Sequence, residues 1–265
     1  MVTWLTSIDA AAGQQYNSPG MSMSSTNHRL VLASASPRRR ELFGWFDLPF
    51  EVQAAAIDET VWAGESPVAA VRRFAREKAE AGAGRLSAGE SGVIVAADTI
   101  VVLDGVVYGK PRDVADATDI LCRLRGRTHQ VYTAVVLLTH PGLVRLESLA
   151  CTMVPIRHYS DWEVEQYVRS GDPFDKAGAY AVQNPTFRPA EALHGCYANV
   201  MGLPLCHLMT LWWELGIRPP VQISAVCQAK LSFLCSVHTA ILGGVLEPCR
   251  PEVAPAADFK LETAI

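Results

Sequence analysis

Three groups of side chains in this sequence have the types and spacing to do chemistry. The first is the turn Ser34-Ala-Ser-Pro-Arg-Arg-Arg40, directly after the apolar run Leu30-Val-Leu-Ala33. Pro37 suits the first position of a helix, where its missing N–H would have had no intrahelical acceptor. Ser36 can cap that helix by accepting a backbone N–H. The hydroxyls of Ser34 and Ser36, the free amides of the first turn and the cations of Arg38, Arg39 and Arg40 then point the same way. A phosphate is the natural occupant of such a place; a solvated basic helix after a surface turn is the plainer reading. The second group is Asp98, in the middle of Val93-Ile-Val-Ala-Ala-Asp-Thr-Ile-Val-Val-Leu103, with Lys110 beyond the hairpin turn Asp104-Gly105. A carboxylate among β-branched residues is costly unless it is paired or binds a metal. The third is the loop Gly171-Asp-Pro-Phe-Asp-Lys-Ala-Gly-Ala-Tyr-Ala-Val-Gln183, and Ile57-Asp58-Glu59-Thr60 adds two adjacent carboxylates.

A cationic phosphate cradle facing carboxylates, with no evident nucleophilic Ser or Cys, suits hydrolytic phosphoryl or nucleotidyl transfer. A metal and a carboxylate activate water there, while cations absorb charge. Rival patterns fail. Lys110 follows Gly109 but precedes Pro111, which is not a Walker A lysine, and neither G-x-G-x-x-G after a strand nor G-x-S-x-G occurs.

The elements that must position these groups read as alternating strands and helices. A strand at Leu30 leads into the helix from Pro37, and Phe50-Glu-Val-Gln-Ala54 reads as a second strand. Ser66-Pro67 opens a long helix with apolar Val68, Val71, Phe74 and Ala75, and Arg72, Arg73, Arg76 and Lys78 as a basic outer face. The run around Asp98 reads as the most buried strand, with Val106–Pro111 returning from the hairpin. Ala115–Leu124 reads as a helix. Gln130–Leu138 and Leu143–Ile156 read as a long antiparallel pair, and Ser160 with Glu163 forms a capping box. Several neighbouring strands are hairpin-linked, so the expected class is α/β with a mixed sheet and flanking helices, not a doubly wound parallel sheet.

The chain has 265 residues, a net charge of −4 and seven scattered cysteines without a C-x-x-C pair. Nothing here suggests a nucleic-acid-wrapping surface, and a reducing, cytoplasmic setting is expected. The His194/Cys196 and Cys206/His207 neighbours lack a usual zinc spacing. Residues 1–28 carry no secretory pattern and read as a disordered leader. The catalytic domain is expected over 29–217. Residues 218–265 read as an appendage: an apolar segment, short of the about twenty residues a membrane span needs, then a disordered tail.

The stretch from about Leu30 to Gly216 resembles the Maf family of nucleotide pyrophosphatases, most closely its dTTP- and UTP-acting branch. The matching motifs are Leu32-Ala-Ser-Ala-Ser-Pro-Arg-Arg39, Arg76-Glu-Lys-Ala79, Ala97-Asp-Thr-Ile-Val101, Gly109-Lys-Pro-Arg112, Gly126-Arg-Thr-His-Gln-Val-Tyr-Thr-Ala134, Gly171 to Gln183 and Val200-Met-Gly-Leu-Pro204. The resemblance implies an elongated, mostly antiparallel α/β fold like that of inosine triphosphatases, two lobes about a central cleft, and a homodimer. It implies hydrolysis of a nucleoside triphosphate to the monophosphate and pyrophosphate with a divalent cation, Mg²⁺ or Mn²⁺. Asp98 becomes the proton acceptor and Lys110 a catalytic phosphate ligand; Glu59 (or Asp58) and Asp98 become metal ligands. Ser34, Ser36, Arg38, Arg39, Lys78, Thr99, Lys176 and Gln183 become substrate-binding, with Arg38, Thr99 and Gln183 setting base specificity. The chain departs from the family after Gln183, where Asn184-Pro-Thr-Phe-Arg-Pro-Ala190 replaces a glycine-rich stretch. Prolines and an arginine cannot approach a ligand as closely as glycine backbone. That departure leaves open a modified-nucleotide pyrophosphatase or a catalytically weak nucleotide-binding regulator.

Overall fold

A computed structural model describes residues 29–87, 89–142, 144–190 and 193–244. The leader and the tail expected from the sequence lie outside the described residues. A six-stranded sheet forms the centre. Its strands are β1 (Leu30–Leu32), β2 (Phe50–Val52), β3 (Gly92–Leu103), β4 (Val106–Tyr108), β5 (Thr128–His140) and β6 (Arg145–Pro155). The order is β2-β1-β3-β5-β6, with β4 paired to β3. β1 runs parallel to β2 and β3; β3, β5 and β6 are antiparallel neighbours, as is the β3–β4 hairpin. The sheet is thus mixed and mostly antiparallel, as the hairpin turns in the sequence predict.

Successive residues of a strand face opposite sides, and β3 uses both. Ile94, Ala96, Ile100 and Val102 pack with Val71, Ala75 and Ala79 of α2 (Pro67–Ala83). Val93, Val95 and Ala97 pack on the other side with Phe43 of α1 (Pro37–Gly44) and with Trp212. By this alternation Asp98 faces the α2 side and Thr99 the α1 side.

Further along that second side lies a separate lobe. There Val101 and Leu103 meet Leu121 and Leu124 of α3 (Val114–Leu124), Tyr167 of α4 (Asp161–Arg169), and Tyr180. Ser160 and Glu163 make the expected capping box at the start of α4. The chain returns to the first lobe through α5 (Tyr197–Met201) and α6 (Leu205–Glu214). Past them, α7 (Ile223–Leu231) and α8 (His238–Leu242) lay Ile223 and Ile241 into the same core as Trp212.

The cleft between the lobes has a simple origin in strand lengths. β1 pairs with β3 only as far as Val95, and β4 begins its pairing at Val101. Between them one edge of β3 has no strand neighbour among the described residues, and Asp98 and Thr99 lie in that gap. Helix and loop ends converge there instead. The loop Gly171–Gln183, two short 3-10 turns (Asp172–Asp175 and Ala177–Ala179), is tied to the hairpin end by Gly178 N donating to Gly109 O at 3.0 Å. Gly178 has φ +71°, and a Cβ there would lie 2.8 Å from Val101 Cγ2. Gly178→Ala combines left-handed strain with a clash against a stiff β-branched side chain, and is expected to cost roughly 2–4 kcal/mol. A urea unfolding midpoint equal to wild type would contradict that packing.

Candidate active site

The cleft has a volume of about 530 Å³. Ser34, Ser36, Arg38, Arg39, Glu59, Lys78, Asp98, Thr99, Lys110, Lys176 and Gln183 all line it, so of the candidate side chains only Arg40 and Asp58 stand outside. They do so in different ways.

Ser36 caps α1, its hydroxyl accepting from Arg39 N at 3.4 Å, and Ser34 Oγ accepts from Ser36 N at 3.2 Å. The three arginines do not all point inward: Arg40 is exposed and does not line the cleft. Successive helical residues are about 100° apart, so three in a row cannot share one target. Arg38 reaches across to the opposite lobe, donating to Asp175 Oδ2 at 3.2 Å and Asp175 O at 3.3 Å. Arg39 donates through Nε to Gly202 O at 2.8 Å and through Nη2 to Thr99 Oγ1 at 2.9 Å. Both acceptors are neutral; Asp98 and Glu59 meet its charge only at a distance, and burial pulls the guanidinium below its ordinary value.

Lys78 corrects the sequence reading of α2. Its ammonium is 7% exposed, not part of a basic outer face. Positions 71, 74, 75 and 78 fall on one side of a helix, which places Lys78 on the stripe of Val71, Phe74 and Ala75. There it donates to Asp98 Oδ1 and, at 2.6 Å, to Glu59 Oε1. The other cations of α2 are paired on the outside, Arg76 with Glu147 at 2.5 Å and Arg73 with Glu65 at 2.8 Å. Of the two loop acids, Glu59 faces the cleft; Asp58 turns back to Thr60 N at 3.0 Å and Thr60 Oγ1 at 2.6 Å.

Asp98 is 4% exposed. Burial pushes its carboxyl above the usual range, against the pull of Lys78 and Arg39. Glu59 is partly exposed and goes the other way. Burial raises it, but Lys78, Lys110 and Arg39 together hold it below the ordinary value. Two neighbouring carboxylates are therefore split, one poised to take a proton and one kept ionised. Lys110 is exposed at the rim, close enough to lower Glu59.

Lys176 is a strut rather than an open cation. Its ammonium is taken up by Asp172 O at 2.5 Å, Asp172 Oδ1 at 2.9 Å and Asp175 Oδ1 at 2.5 Å. An ammonium has three donors, and these three acceptors engage all of them. Gln183 is exposed at the cleft wall. The altered stretch behind it does not line the cleft. Asn184 Oδ1 accepts from Thr186 N at 3.0 Å and Phe187 N at 2.8 Å, and Phe187 stacks on Tyr167 with centroids 4.1 Å apart. Arg157 holds the Phe187 and Arg188 carbonyls at 2.6 and 2.9 Å. Phe187 thus packs against α4, and Asn184 and Arg157 fix the backbone around it, outside the cleft lining.

Two polar residues near the cleft escape sequence reasoning. Tyr180 lines it with its hydroxyl 2.8 Å from His129 Nε2, and burial drives that imidazole down to about 3, so it is neutral. Thr133 lies opposite Thr99 on β5, Oγ1 to Oγ1 at 2.9 Å. Thr133, inside the apolar run of β5, was the available signal; His129 stands between Thr128 and Gln130 and gives none.

Fold and cleft together define an α/β protein whose interlobe cleft sets a buried carboxylate among cations. The chain belongs to the Maf-like protein family, which matches residues 29–215. It is similar to the dTTP/UTP pyrophosphatase of Myxococcus xanthus (strain DK1622), 45% identical over 195 residues, 74% of this chain and 96% of that protein. The dTTP/UTP pyrophosphatase of Chromobacterium violaceum is 43% identical over 202 residues, 75% of this chain and 100% of that protein. Among solved structures, the Staphylococcus aureus Ham1 protein matches with a TM-score of 0.40 and 14% identity, over 71% of this chain and 100% of that one.

The direction of the Asp98 shift has a consequence for stability. A carboxyl that holds its proton more tightly when folded stabilises the fold fully below its unfolded value, near about 3.9. That contribution is lost as pH rises through the raised folded value. The unfolding free energy of wild type minus that of Asp98→Asn should therefore shrink as pH rises from about 4 towards neutrality. A difference that grows with pH would mean that Asp98 is held ionised by Lys78 instead.

Proposed function

We propose that this chain hydrolyses nucleoside triphosphates, dTTP and UTP foremost, to the monophosphate and pyrophosphate. The observation that carries the reading is Asp98: a buried carboxyl, its pKa raised, in a sheet-edge gap ringed by Lys78, Lys110, Arg38 and Arg39. The related dTTP/UTP pyrophosphatases support it, since they align with this chain over nearly their whole length.

Water attacks the α-phosphorus, the bond to the bridging oxygen breaks, and pyrophosphate leaves. Asp98 accepts the proton that the water gives up; Oδ1 is engaged by Lys78, which leaves Oδ2 to take it. Arg38 and Arg39 provide forked donors for phosphate oxygens and Lys110 a mobile point charge. Arg38 leaves Asp175 to do so, an exchange of one exposed ion pair for another.

A divalent cation fits the donor set. Glu59 and Asp98 already converge on one cation, the Lys78 ammonium, and two carboxylates plus phosphate oxygens suit Mg²⁺ or Mn²⁺. These two residues would hold it, and when bound it neutralises charge developing on the phosphates. Gln183, on the cleft wall, offers a donor and an acceptor to the O4/N3–H edge of thymine or uracil. No helix among the described residues is long and apolar enough to cross a membrane, and the described free cysteines suit a reducing cytoplasm.

Pyrophosphate release with Mg²⁺ over a nucleotide panel tests the reading. dTTP and UTP should turn over well, CTP poorly and purine triphosphates worst. Asp98→Asn should lower kcat by about a hundredfold or more while the protein stays folded, and wild-type turnover in that variant would remove Asp98 from the reaction. Gln183→Glu takes away the donor to O4 and should lower dTTP turnover about tenfold. An unchanged ratio of dTTP to GTP turnover would show that Gln183 does not read the base.

A further inference from the structure

The hydrogen bonds around Arg39 close into a ring whose directions are fixed by counting protons. Arg39 Nη2 can only donate, so Thr99 Oγ1 accepts from it at 2.9 Å. At the far end, Thr133 Oγ1 lies 3.1 Å from the carbonyl oxygen of Asn199, which can only accept, so Thr133 spends its one hydroxyl hydrogen there. The 2.9 Å contact between the two threonines must then be Thr99 donating to Thr133. Thr99 has no proton left.

The ring closes through α5. Asn199 O also accepts from Gly202 N at 2.9 Å, and Gly202 O accepts from Arg39 Nε at 2.8 Å. Both routes from the guanidinium thus end in the same turn, residues 199–202. That turn is itself fixed. The fully buried Asn199 amide donates to Val131 O and Thr152 Oγ1, each at 2.9 Å, pinning α5 to β5 and β6. Gly202 has φ +108°, a left-handed backbone that favours glycine, and it sets the carbonyl that Arg39 Nε meets. Of the five donors on Arg39, the ring uses Nε and one on Nη2, and the residue lines the cleft.

We propose that Thr133 is a positioning residue that, through Thr99, aims Arg39 at the phosphates of the substrate, and that Thr99 does not read the base by donating to it. The proposal rests on the nucleotide-pyrophosphatase reading and changes the role the family resemblance gives Thr99. Thr133 is fully buried and absent from the cleft lining, so it acts only through its neighbours. Without its hydroxyl, Thr99 loses the acceptor that holds its hydrogen, and its oxygen is no longer fixed on the line to the guanidinium.

Thr133→Val and Thr133→Ser decide between the roles, measured by calorimetric binding of inorganic tripolyphosphate and by kcat/KM on dTTP and CTP. The valine variant should bind tripolyphosphate and turn over dTTP about five- to tenfold less well, by the same factor, with the dTTP to CTP ratio unchanged. The serine variant keeps the hydroxyl and should stay within about twofold of wild type. Should the valine variant fail to fold, Thr133→Ala set against Thr133→Ser carries the comparison. Wild-type tripolyphosphate affinity in the valine or alanine variant overturns the proposal. So does an equal loss in the serine variant, a change in base ratio at constant tripolyphosphate affinity, or a wild type that binds no tripolyphosphate. If wild type binds tripolyphosphate but hydrolyses no nucleotide, the pyrophosphatase reading fails while the binding arm still judges the ring.

Discussion

Asp98 is a carboxylate set where bulk water does not reach it, and the ammonium that meets it, Lys78, is buried as well. A buried ion pair of this kind is tolerable but brings no net stability that an apolar pair could not exceed. Lys78 is moreover shared with Glu59, so one cation serves two acids. An arrangement so unfavourable for the empty fold makes sense as preparation for a further cation and a polyanion. The remainder of the architecture can be read as what keeps these charges apart from water and in register.

Strand length and strand alternation do most of that. β1 stops short and β4 starts late, so β3 alone spans the gap. Neighbouring residues there face opposite ways, Asp98 towards Lys78 on α2 and Thr99 towards Arg39 on α1. One strand thereby holds the acid chemistry on one side and the phosphate cation on the other. The opposite wall is a loop held by its own ion pairs, Lys176 between Asp172 and Asp175, and by the Asn184 and Phe187 anchorage behind it. Rigid support behind a loop is what lets exposed residues such as Gln183 stay in place.

Local signals in the sequence were legible where local physics decides. The Ser36–Pro37 and Ser66–Pro67 helix starts, the Ser160/Glu163 capping box and the Asp104-Gly105 hairpin all stand where the residues place them. Asp98 was conspicuous because a charge in a β-branched run is expensive. The charge of Lys78 suggests an outer face, but its spacing puts it on the apolar stripe of α2, and there it is buried. The pairing of Lys176 carries no local signal, because its three acceptors come from residues whose approach depends on the loop's 3-10 turns. The packing of 184–190 is hidden for a similar reason: its Phe187 packs on Tyr167 and Tyr159, a tertiary contact with no local signature. Thr133 and Asn199 matter only through a ring that joins β3, β5, α1 and α5, and no window of sequence contains it.

The central claim is that the buried acid and its cations act on the α-phosphorus of a nucleoside triphosphate, with water as the nucleophile. Isotope placement tests it most directly. dTTP hydrolysed by the full chain in ¹⁸O-water, with products resolved by mass spectrometry, should yield labelled thymidine monophosphate and unlabelled pyrophosphate. Label in the pyrophosphate, or release of orthophosphate in its place, would contradict the account.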